Sequence, residues 1–272
     1  MSNSSGSAKQ DKDARREAAR AQAEQLRKSQ AARERRSRNI LLGVLGGVIV
    51  IVVAIGAFIF TQSQKTLLDD FDGAVPANTD NRGGISVGNV GTAGTVNEGA
   101  PVLQVYLDFM CPYCGQFEDA NATDLVKLRE AGDLTVQYHI VSNLDQASTT
   151  GFSTRATNAA VTIANDAPEQ FVAFVEGMFA NQPEEGGPGL SDEEIKAIAI
   201  EAGVPTEVAD TLADAKFNEW ISVSTQQAKR DGANGTPTVK FEGKKVPQDV
   251  MFYNAGVLGA WIAAESGTTL PE

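Results

Sequence analysis

The stretch 101–115 reads PVLQVYLDFMCPYCG, and within a few residues its pattern changes from that of a strand to that of a helix. Residues 101–109 are rich in β-branched and aromatic side chains, which is typical of a buried strand. The segment that follows, QFEDANATDLVKLREAG, repeats its apolar positions with helical spacing. The sequence therefore predicts a strand, a turn and a helix, with Cys111-Pro-Tyr-Cys114 at the N-terminus of the helix.

The two cysteines of this turn are the only two in the chain, and their position favours thiol–disulfide exchange. The free N–H groups of a helix N-terminus and the positive end of the helix dipole favour the thiolate form of Cys111. Exchange needs one accessible thiolate that forms a mixed disulfide and a second thiol at short reach that resolves it. We therefore expect Cys111 to form the mixed disulfide and Cys114, one turn further along, to be the more buried partner.

Three other interpretations of the cysteine pair stay open at this point. A zinc site would need two more soft ligands, and the chain offers no other cysteine and a single histidine, His139. A structural disulfide across so short a loop would restrict the unfolded chain much less than a long-range bridge would. A pair of inert buried thiols is disfavoured, because an exported domain that has only two cysteines and places both in one motif favours a redox role. We expect no metal site.

Two segments, FMCPYCGQFE at 109–118 and GTPTVKFEGKKV at 235–246, resemble the DsbA-like branch of the thioredoxin superfamily. The resemblance covers residues 83–265 and implies a thioredoxin-like α/β fold. It makes Pro112 and Tyr113 part of the active-site motif. In that family a cis-proline faces the cysteine pair, and Thr236-Pro237 is the match, with the backbone beside Thr236 pairing with an extended substrate segment. Read from the residues alone, Pro237 opens a strand and its isomer stays open.

Cys114 and Pro237 lie 123 positions apart, which exceeds what a bare thioredoxin needs, so the sequence predicts an insertion. Helical periodicity and stop signals place helices at 155–166, 169–180, 191–202 and about 206–230, which together form a helical subdomain over about 152–231. Ser191-Asp-Glu-Glu194 is a capping box. The remaining elements are short strands at 85–87, 134–141, 238–242 and near 246, a turn at 243–244, and a helix at about 250–264.

The sequence departs from the family pattern at two positions. Tyr113 stands where the strongly oxidising members carry histidine, which favours a weaker oxidant. Val105 stands where thioredoxins place a buried acid, so proton transfer by that route is not expected. Asp108 could carry protons, but capping or solvation is an equally good interpretation of it. We expect His139 to be a sheet residue without a catalytic role, and Trp220 and Trp261 to pack in amphipathic helices.

Charge is distributed unevenly along the chain, which is 42% hydrophobic and carries a net charge of −12. Residues 1–39 hold 11 Lys and Arg against 5 Asp and Glu, and residues 61–272 hold 12 against 30. The excess of acid argues against nucleic acid as a partner. Between the two parts, an uncharged run begins at Ile40 and ends at Phe60. At ~1.5 Å per residue it reaches roughly 30 Å, so the sequence predicts a transmembrane helix.

The flanks of this span predict its orientation. Four arginines stand directly before it, and the positive-inside rule then places residues 1–39 in the cytoplasm as a charged tail. A cleaved signal peptide is the alternative, but the apolar run is long for one and a small-residue cleavage site is lacking. We expect a polar linker at 61–82, the DsbA-like domain at 83–265 outside the cytoplasm, and a C-terminal tail at 266–272.

Together, the span and the resemblance imply a membrane-anchored, extracytoplasmic thiol–disulfide oxidoreductase that introduces disulfides into exported proteins. Its partners would be unfolded or reduced exported proteins and a quinone-linked membrane protein that reoxidises it. The Cys111–Cys114 disulfide would be its redox centre, with no separate cofactor.

Two alternatives to this function stay open. A disulfide isomerase or reductase of the same fold is favoured by Tyr113, although the polar segment 61–82 is too short for the dimerisation domain of the family's isomerases. A non-catalytic, peptide-binding module that uses the cysteine pair as a redox sensor is the second.

Overall fold

The computed structural model describes residues 5–63 and 65–271 and divides the chain into two compact units, Met1–Lys65 and Thr66–Glu272. The first unit is one continuous helix, α1 (Ser5–Ser63). The predicted tail at 1–39 is thus helical where it is described, as expected from its many Ala, Glu, Gln, Lys and Arg residues. Helix α1 contains the predicted span and is the one described helix that is long and apolar enough to cross a membrane.

The second unit is built on a five-stranded sheet whose central strand leads into the cysteine pair. In chain order the strands are β1 (Ile85–Val87), β2 (Val102–Leu107), β3 (Thr135–Ile140), β4 (Thr238–Phe241) and β5 (Lys244–Lys245). Across the sheet they run β1-β3-β2-β4-β5, with β2 and β3 parallel and the other neighbours antiparallel. Both edges of β2 are paired and its last three residues are buried, so the turn that follows starts from a rigid position.

Seven helices complete the second unit among the described residues. They are α2 (Pro112–Glu130), α3 (Phe152–Asp166), α4 (Phe171–Ala180), α5 (Asp192–Glu201), α6 (Thr206–Ala209), α7 (Asn218–Arg230) and α8 (Val257–Ser266). Helices α3 to α7 lie between β3 and β4 in the chain and form the insertion. Helix α2 packs against α4 and α8, while α3 packs against α7. The architecture is a thioredoxin-like α/β fold with an inserted helical subdomain, which confirms the predicted fold class.

The insertion differs from the prediction at 206–230, where one helix was expected and two are observed. The break at 210–217 follows from a buried side chain on α3. The side chain of Asn158 donates to the oxygen of Leu212 at 2.8 Å and accepts the N–H of Phe217 at 3.0 Å. These bonds offer the backbone an alternative to helical pairing, and such competition ends helices.

The elements after the insertion also have different bounds from those predicted. Helix α8 begins at Val257 rather than near 250, because Gly256 has a φ of 82° and therefore does not continue a helix. The hairpin between β4 and β5 turns at Glu242 and Gly243, one residue earlier than expected. Both residues have positive φ, as a two-residue type I′ turn requires.

The boundary of the folded unit also lies elsewhere than expected. Residues 66–82 belong to the second unit rather than to a linker, and Leu68 is buried in its core. At the C-terminal end, Leu270 belongs to the segment 266–272 that was expected to be a tail, but it packs against the same core. Polar contacts also join segment 66–82 to the rest of the second unit. The N–H of Leu67 donates to Gln227 Oε1 at 2.8 Å, Asn78 Nδ2 donates to the oxygen of Ala164 at 2.8 Å, and Arg82 Nη1 pairs with Asp231 Oδ1 at 2.6 Å.

We expect Leu68→Ala to lower the free energy of unfolding of the second unit by about 2 to 3 kcal/mol, because it leaves a cavity in the core. Urea denaturation of the full-length chain in detergent, followed by tryptophan fluorescence, measures this. Val75→Ala is the matched control, because Val75 lies in the same segment with 57% of its surface exposed. Equal midpoints for Leu68→Ala and the unsubstituted chain would contradict a structural role for 66–82.

Candidate active site

The cysteine pair lies where β2 ends and α2 begins. Cys111 is the N-cap of α2, with extended backbone angles (φ −79°, ψ 115°), and Pro112 is the first helical residue. A proline is suited to that position because its fixed φ fits the helix and its missing N–H would have had no intrahelical partner. The first turn closes through the oxygen of Cys111, which accepts the N–H of Cys114 at 2.9 Å and that of Gly115 at 3.3 Å.

The two thiols occupy different environments. Both are free, and Cys114 is fully buried whereas 4% of Cys111 is exposed, in the order expected from the sequence. In its protonated form the thiol of Cys111 donates to the carbonyl oxygen of Thr236, 3.2 Å away. The sulfur of Cys114 accepts the N–H of Asp108 at 3.5 Å. Cys111 is therefore the sulfur that a substrate can approach, and Cys114 lies behind it.

These environments move the two thiol pKa values in opposite directions. A hydrogen bond from the thiol of Cys114 is the largest cause that lowers the pKa of Cys111 to about 6. The hydroxyl of Thr236 and the N–H groups of Cys114 and Tyr113 act in the same direction, and burial opposes them. Burial raises the pKa of Cys114 far above its ordinary value. At neutral pH the pair therefore consists of a Cys111 thiolate and a Cys114 thiol.

The loop from the far end of the chain comes next to this pair. The Thr236–Pro237 peptide bond is cis, and Thr236 contacts Cys111 through its carbonyl oxygen. A cavity of about 400 Å³ opens beside the two residues. Its lining includes Cys111, Tyr113, Leu144, Glu185, Lys229 and Thr236. The structure thus brings together all six residues predicted for the site. Pro112 also lines the cavity, Cys114 follows in the same helical turn, and Pro237 is joined to Thr236.

Asp108, which the sequence left open, is completely buried and joins three parts of the site. Its Oδ1 accepts the N–H of Met110 at 2.9 Å and the hydroxyl of Ser153 at 2.7 Å. Its Oδ2 accepts the N–H of Leu144 at 2.9 Å. Burial raises the pKa of Asp108 in spite of these bonds. Solvation is therefore not its role, and its carboxyl group connects the active-site turn to the insertion.

Sequence reasoning missed two residues near the pair, Glu118 and Gln182. Glu118 is buried in α2, and burial is the main cause that raises its pKa to about 7, with the charges of Glu176 and Asp119 acting in the same direction. Its spacing of four from Cys114 puts both on one face of the helix, which was a readable signal. No signal in the sequence pointed to Gln182, whose side chain reaches the turn from the end of α4.

The remaining residues singled out from the sequence lie away from the sulfurs. His139 is buried in β3, where its ring stacks on Tyr106 at 4.2 Å, and burial lowers its pKa to about 3. Trp220 is buried in α7, and Trp261 packs edge-on against Phe241 at 5.4 Å. Within 5–63 and 65–271, no group of three or more His, Cys, Asp or Glu side chains is placed to hold a metal ion.

Comparison with known proteins agrees with this geometry. A family model described as thioredoxin matches residues 93–254, which is more than half of the chain. The structure of reduced DsbA from Mycobacterium tuberculosis is 28% identical, aligns over 68% of this chain and 90% of that one, and gives a TM-score of 0.56. MdbA, a thiol-disulfide oxidoreductase from Actinomyces oris, shares the fold at 22% identity, covering 74% of this chain and 99% of that one, with a TM-score of 0.58.

A relative among curated proteins is much longer than this chain. The serine/threonine-protein kinase PknE of Mycobacterium tuberculosis is 28% identical over 147 residues, which is 50% of this chain and 26% of the kinase. The chain thus spans about a quarter of the length of the curated relatives it matches.

The fold and the free cysteine pair resemble those of DsbA-type thiol–disulfide oxidoreductases. The chain belongs to the thioredoxin superfamily and, within it, to the DsbA-like branch.

We expect the rate of alkylation of Cys111 by iodoacetamide to rise with pH through a midpoint near 6, because the thiolate is the reacting form. In Cys114→Ala the midpoint should move up by about one to two pH units, since the largest stabilising hydrogen bond is lost. Mass spectrometry of the full-length chain in detergent gives the rates. In Cys111→Ala, little alkylation is expected between pH 5 and 8, because the pKa of Cys114 is raised. Equal midpoints with and without Cys114 would contradict this account.

Glu118 makes stability depend on pH. Its pKa is about 7 in the folded state against 4.5 ordinarily, so the folded state binds the proton more tightly, and stability falls as pH rises from about 4.5 to 7. Glu118→Gln should therefore stabilise the protein at pH 8 by on the order of 3 kcal/mol and by little at pH 4.5. Urea denaturation of the reduced protein at both pH values measures this, with exposed Glu98→Gln as the control. An equal gain in the free energy of unfolding at both pH values would contradict the raised pKa of Glu118.

Proposed function

We propose that this chain is a membrane-anchored, extracytoplasmic thiol–disulfide oxidoreductase that introduces disulfides into exported proteins through Cys111 and Cys114. The observation that carries the proposal is the contrast between the two thiols. Cys111 lines the cavity and has a pKa lowered to about 6, whereas Cys114 is fully buried and has a raised pKa. A low-pKa thiol stabilises the reduced form of a cysteine pair, and stabilising the reduced form makes the disulfide a stronger oxidant.

The geometry supports a defined order of bond changes. A client thiolate attacks the sulfur of Cys111 in the oxidised protein, the Cys111–Cys114 bond breaks, and Cys114 leaves with the electron pair. Cys114 then takes up a proton, because its pKa is raised. A second client thiolate attacks the client sulfur of the mixed disulfide, and Cys111 leaves as a thiolate. The client loses two electrons to the protein, one of its two protons is on Cys114, and the other passes to solvent.

The surface around Cys111 supports a polypeptide as the substrate. Next to the sulfur lies an exposed aromatic rim formed by Tyr113 and Tyr253, which are 59% and 42% exposed. The ring centroids of Tyr113 and Tyr253 are 6.2 Å apart. Unfolded proteins expose the apolar side chains that such a rim binds. Thr236 lines the same cavity, and we propose that the backbone beside it pairs with an extended client segment.

The anchoring part of the proposal rests on α1 and its flanks. An apolar helix of this length is suited to a bilayer, and the arginines before it favour a cytoplasmic N-terminus. The catalytic unit would then act on proteins outside the cytoplasm, where disulfides persist. Each client oxidation leaves two electrons on the cysteine pair. We propose a quinone-linked membrane protein as their acceptor, because quinones dissolve in the bilayer that the anchor would occupy.

The reduction potential of the Cys111–Cys114 couple tests the direction of exchange. The full-length chain in detergent is equilibrated with glutathione mixtures, and its thiols are counted by mass tagging. We expect a value above about −200 mV and below the ~−120 mV of the strongest oxidants, because Tyr113 replaces histidine. A value below about −200 mV, towards the ~−270 mV of thioredoxin, would overturn the oxidase function in favour of a reductase.

Turnover on a client separates an enzyme from a redox sensor. Reduced, unfolded ribonuclease A and glutathione disulfide are mixed with a catalytic amount of the protein, and the regain of ribonuclease activity is followed. We expect many clients to be oxidised per protein molecule, with Cys111→Ser inactive. A single exchange per molecule without further acceleration would overturn the enzymatic function in favour of a sensor.

A further inference from the structure

The side chain of Gln182 reaches the catalytic turn from the helical insertion. Gln182 lies two residues beyond the end of α4, and its amide nitrogen Nε2 donates to two backbone carbonyls of the turn. The distances are 2.9 Å to the oxygen of Phe109 and 2.8 Å to the oxygen of Cys111. A primary amide has two N–H donors, so both bonds form at once. Gln182 thereby connects the insertion to the backbone on both sides of Met110.

The residue that faces Gln182 is a glycine inside a helix. Gly115 is the fourth residue of α2 and is buried. A Cβ at Gly115 would overlap the amide oxygen Oε1 of Gln182, closer than real Cβ atoms come to other heavy atoms. Glycine weakens a helix relative to alanine, so its presence in α2 calls for a physical reason. The close approach of Gln182 provides that reason.

The bonds of Gln182 bear on the reactive sulfur through the first turn of α2. The oxygen of Cys111 closes that turn, and Gln182 is a third donor to it beside the N–H groups of Cys114 and Gly115. The pKa of Cys111 is lowered most by the thiol of Cys114 and further by the N–H groups of Cys114 and Tyr113, all of which belong to the same turn. Hydrogen bonds of this kind depend steeply on angle and distance. A shift of the turn therefore weakens the stabilisation of the thiolate.

We propose that Gln182 is a positioning residue for Cys111, which holds the catalytic turn through the carbonyls of Phe109 and Cys111, and that Gly115 is glycine in order to admit it. The inference rests on the proposed redox function, because it concerns how strongly the reduced state of the same site is stabilised. The thiolate exists only in the reduced state. Loss of Gln182 therefore destabilises the reduced state relative to the disulfide and makes the protein a weaker oxidant.

The test replaces Gln182 with methionine, which has nearly the same length and no N–H donor, in the full-length chain in detergent. We expect the pH midpoint of Cys111 alkylation to rise by about one unit. At pH 7 the disulfide should then oxidise glutathione with an equilibrium constant about fivefold lower, which corresponds to a potential about 20 mV more negative. Asn181→Ala is the matched control, because its side chain donates to the oxygen of Gly177 within α4, and both quantities should stay unchanged.

A double-mutant comparison tests the assignment of Gly115. In the unsubstituted chain, Gly115→Ala displaces Gln182 and should lower the melting temperature and shift the alkylation midpoint as Gln182→Met does. In the Gln182→Ala background the overlap is gone, and alanine is the better helix former. There, Gly115→Ala should raise the melting temperature. A steric conflict with any other neighbour would not show this reversal of sign.

An alkylation midpoint and a potential unchanged in Gln182→Met would overturn the proposal. If Gln182→Met does not yield folded protein, the double-mutant comparison decides, and an equal effect of Gly115→Ala in both backgrounds would overturn it. A failure of the proposed function shows differently, as a potential below about −200 mV or a lack of turnover in the unsubstituted chain.

Discussion

The thiol of Cys114 and, to a lesser extent, the N–H groups of Cys114 and Tyr113 lower the pKa of Cys111 from the first turn of α2, and the chemistry of the site depends on this arrangement. A helix N-terminus offers such donors only if its position is held against the rest of the fold. Here β2, which is paired on both edges, leads directly into the catalytic turn and fixes its position. Pro112 starts the helix with a suitable φ, and the packing of α2 on α4 and α8 holds its axis. The core of the fold thereby sets the acidity of one thiol.

The helical insertion contributes to the site at more than one point. Asp108 binds the hydroxyl of Ser153 on α3, and Gln182 after α4 binds the oxygen of Cys111. Glu185 and Lys229, also from the insertion, line the cavity beside the sulfur. The same segment therefore supplies one wall of the cleft and part of the support of the catalytic turn. A rearrangement of the insertion would change both the shape of the cleft and the reactivity of the thiol.

Burial of two acidic side chains, Asp108 and Glu118, lowers stability. Asp108 and Glu118 both have raised pKa values with burial as the main cause, so each destabilises the fold where it is ionised. Asp108 offsets part of that cost with three hydrogen bonds that no apolar residue could supply. Proteins often retain such costs at functional sites, where geometry matters more than stability. The contact of Asp108 with the active-site turn agrees with this interpretation.

Local sequence patterns alone predict the apolar run of α1, the order of the strands along the chain and the position of the cysteine pair at a helix N-terminus, while the fold class was implied by the resemblance of two segments to a known family. The local features follow from periodicity and from residue types such as Pro112, whose physical effects act over a few residues. The tertiary structure decided features that depend on residues far apart in the chain. Examples are the break that Asn158 imposes at 210–217 and the packing of 66–82. Likewise, only the folded chain brings Thr236 and Gln182 to Cys111, 125 and 71 residues away in sequence. No local pattern encodes such contacts, because each one forms only when packing of the whole core has fixed both partners.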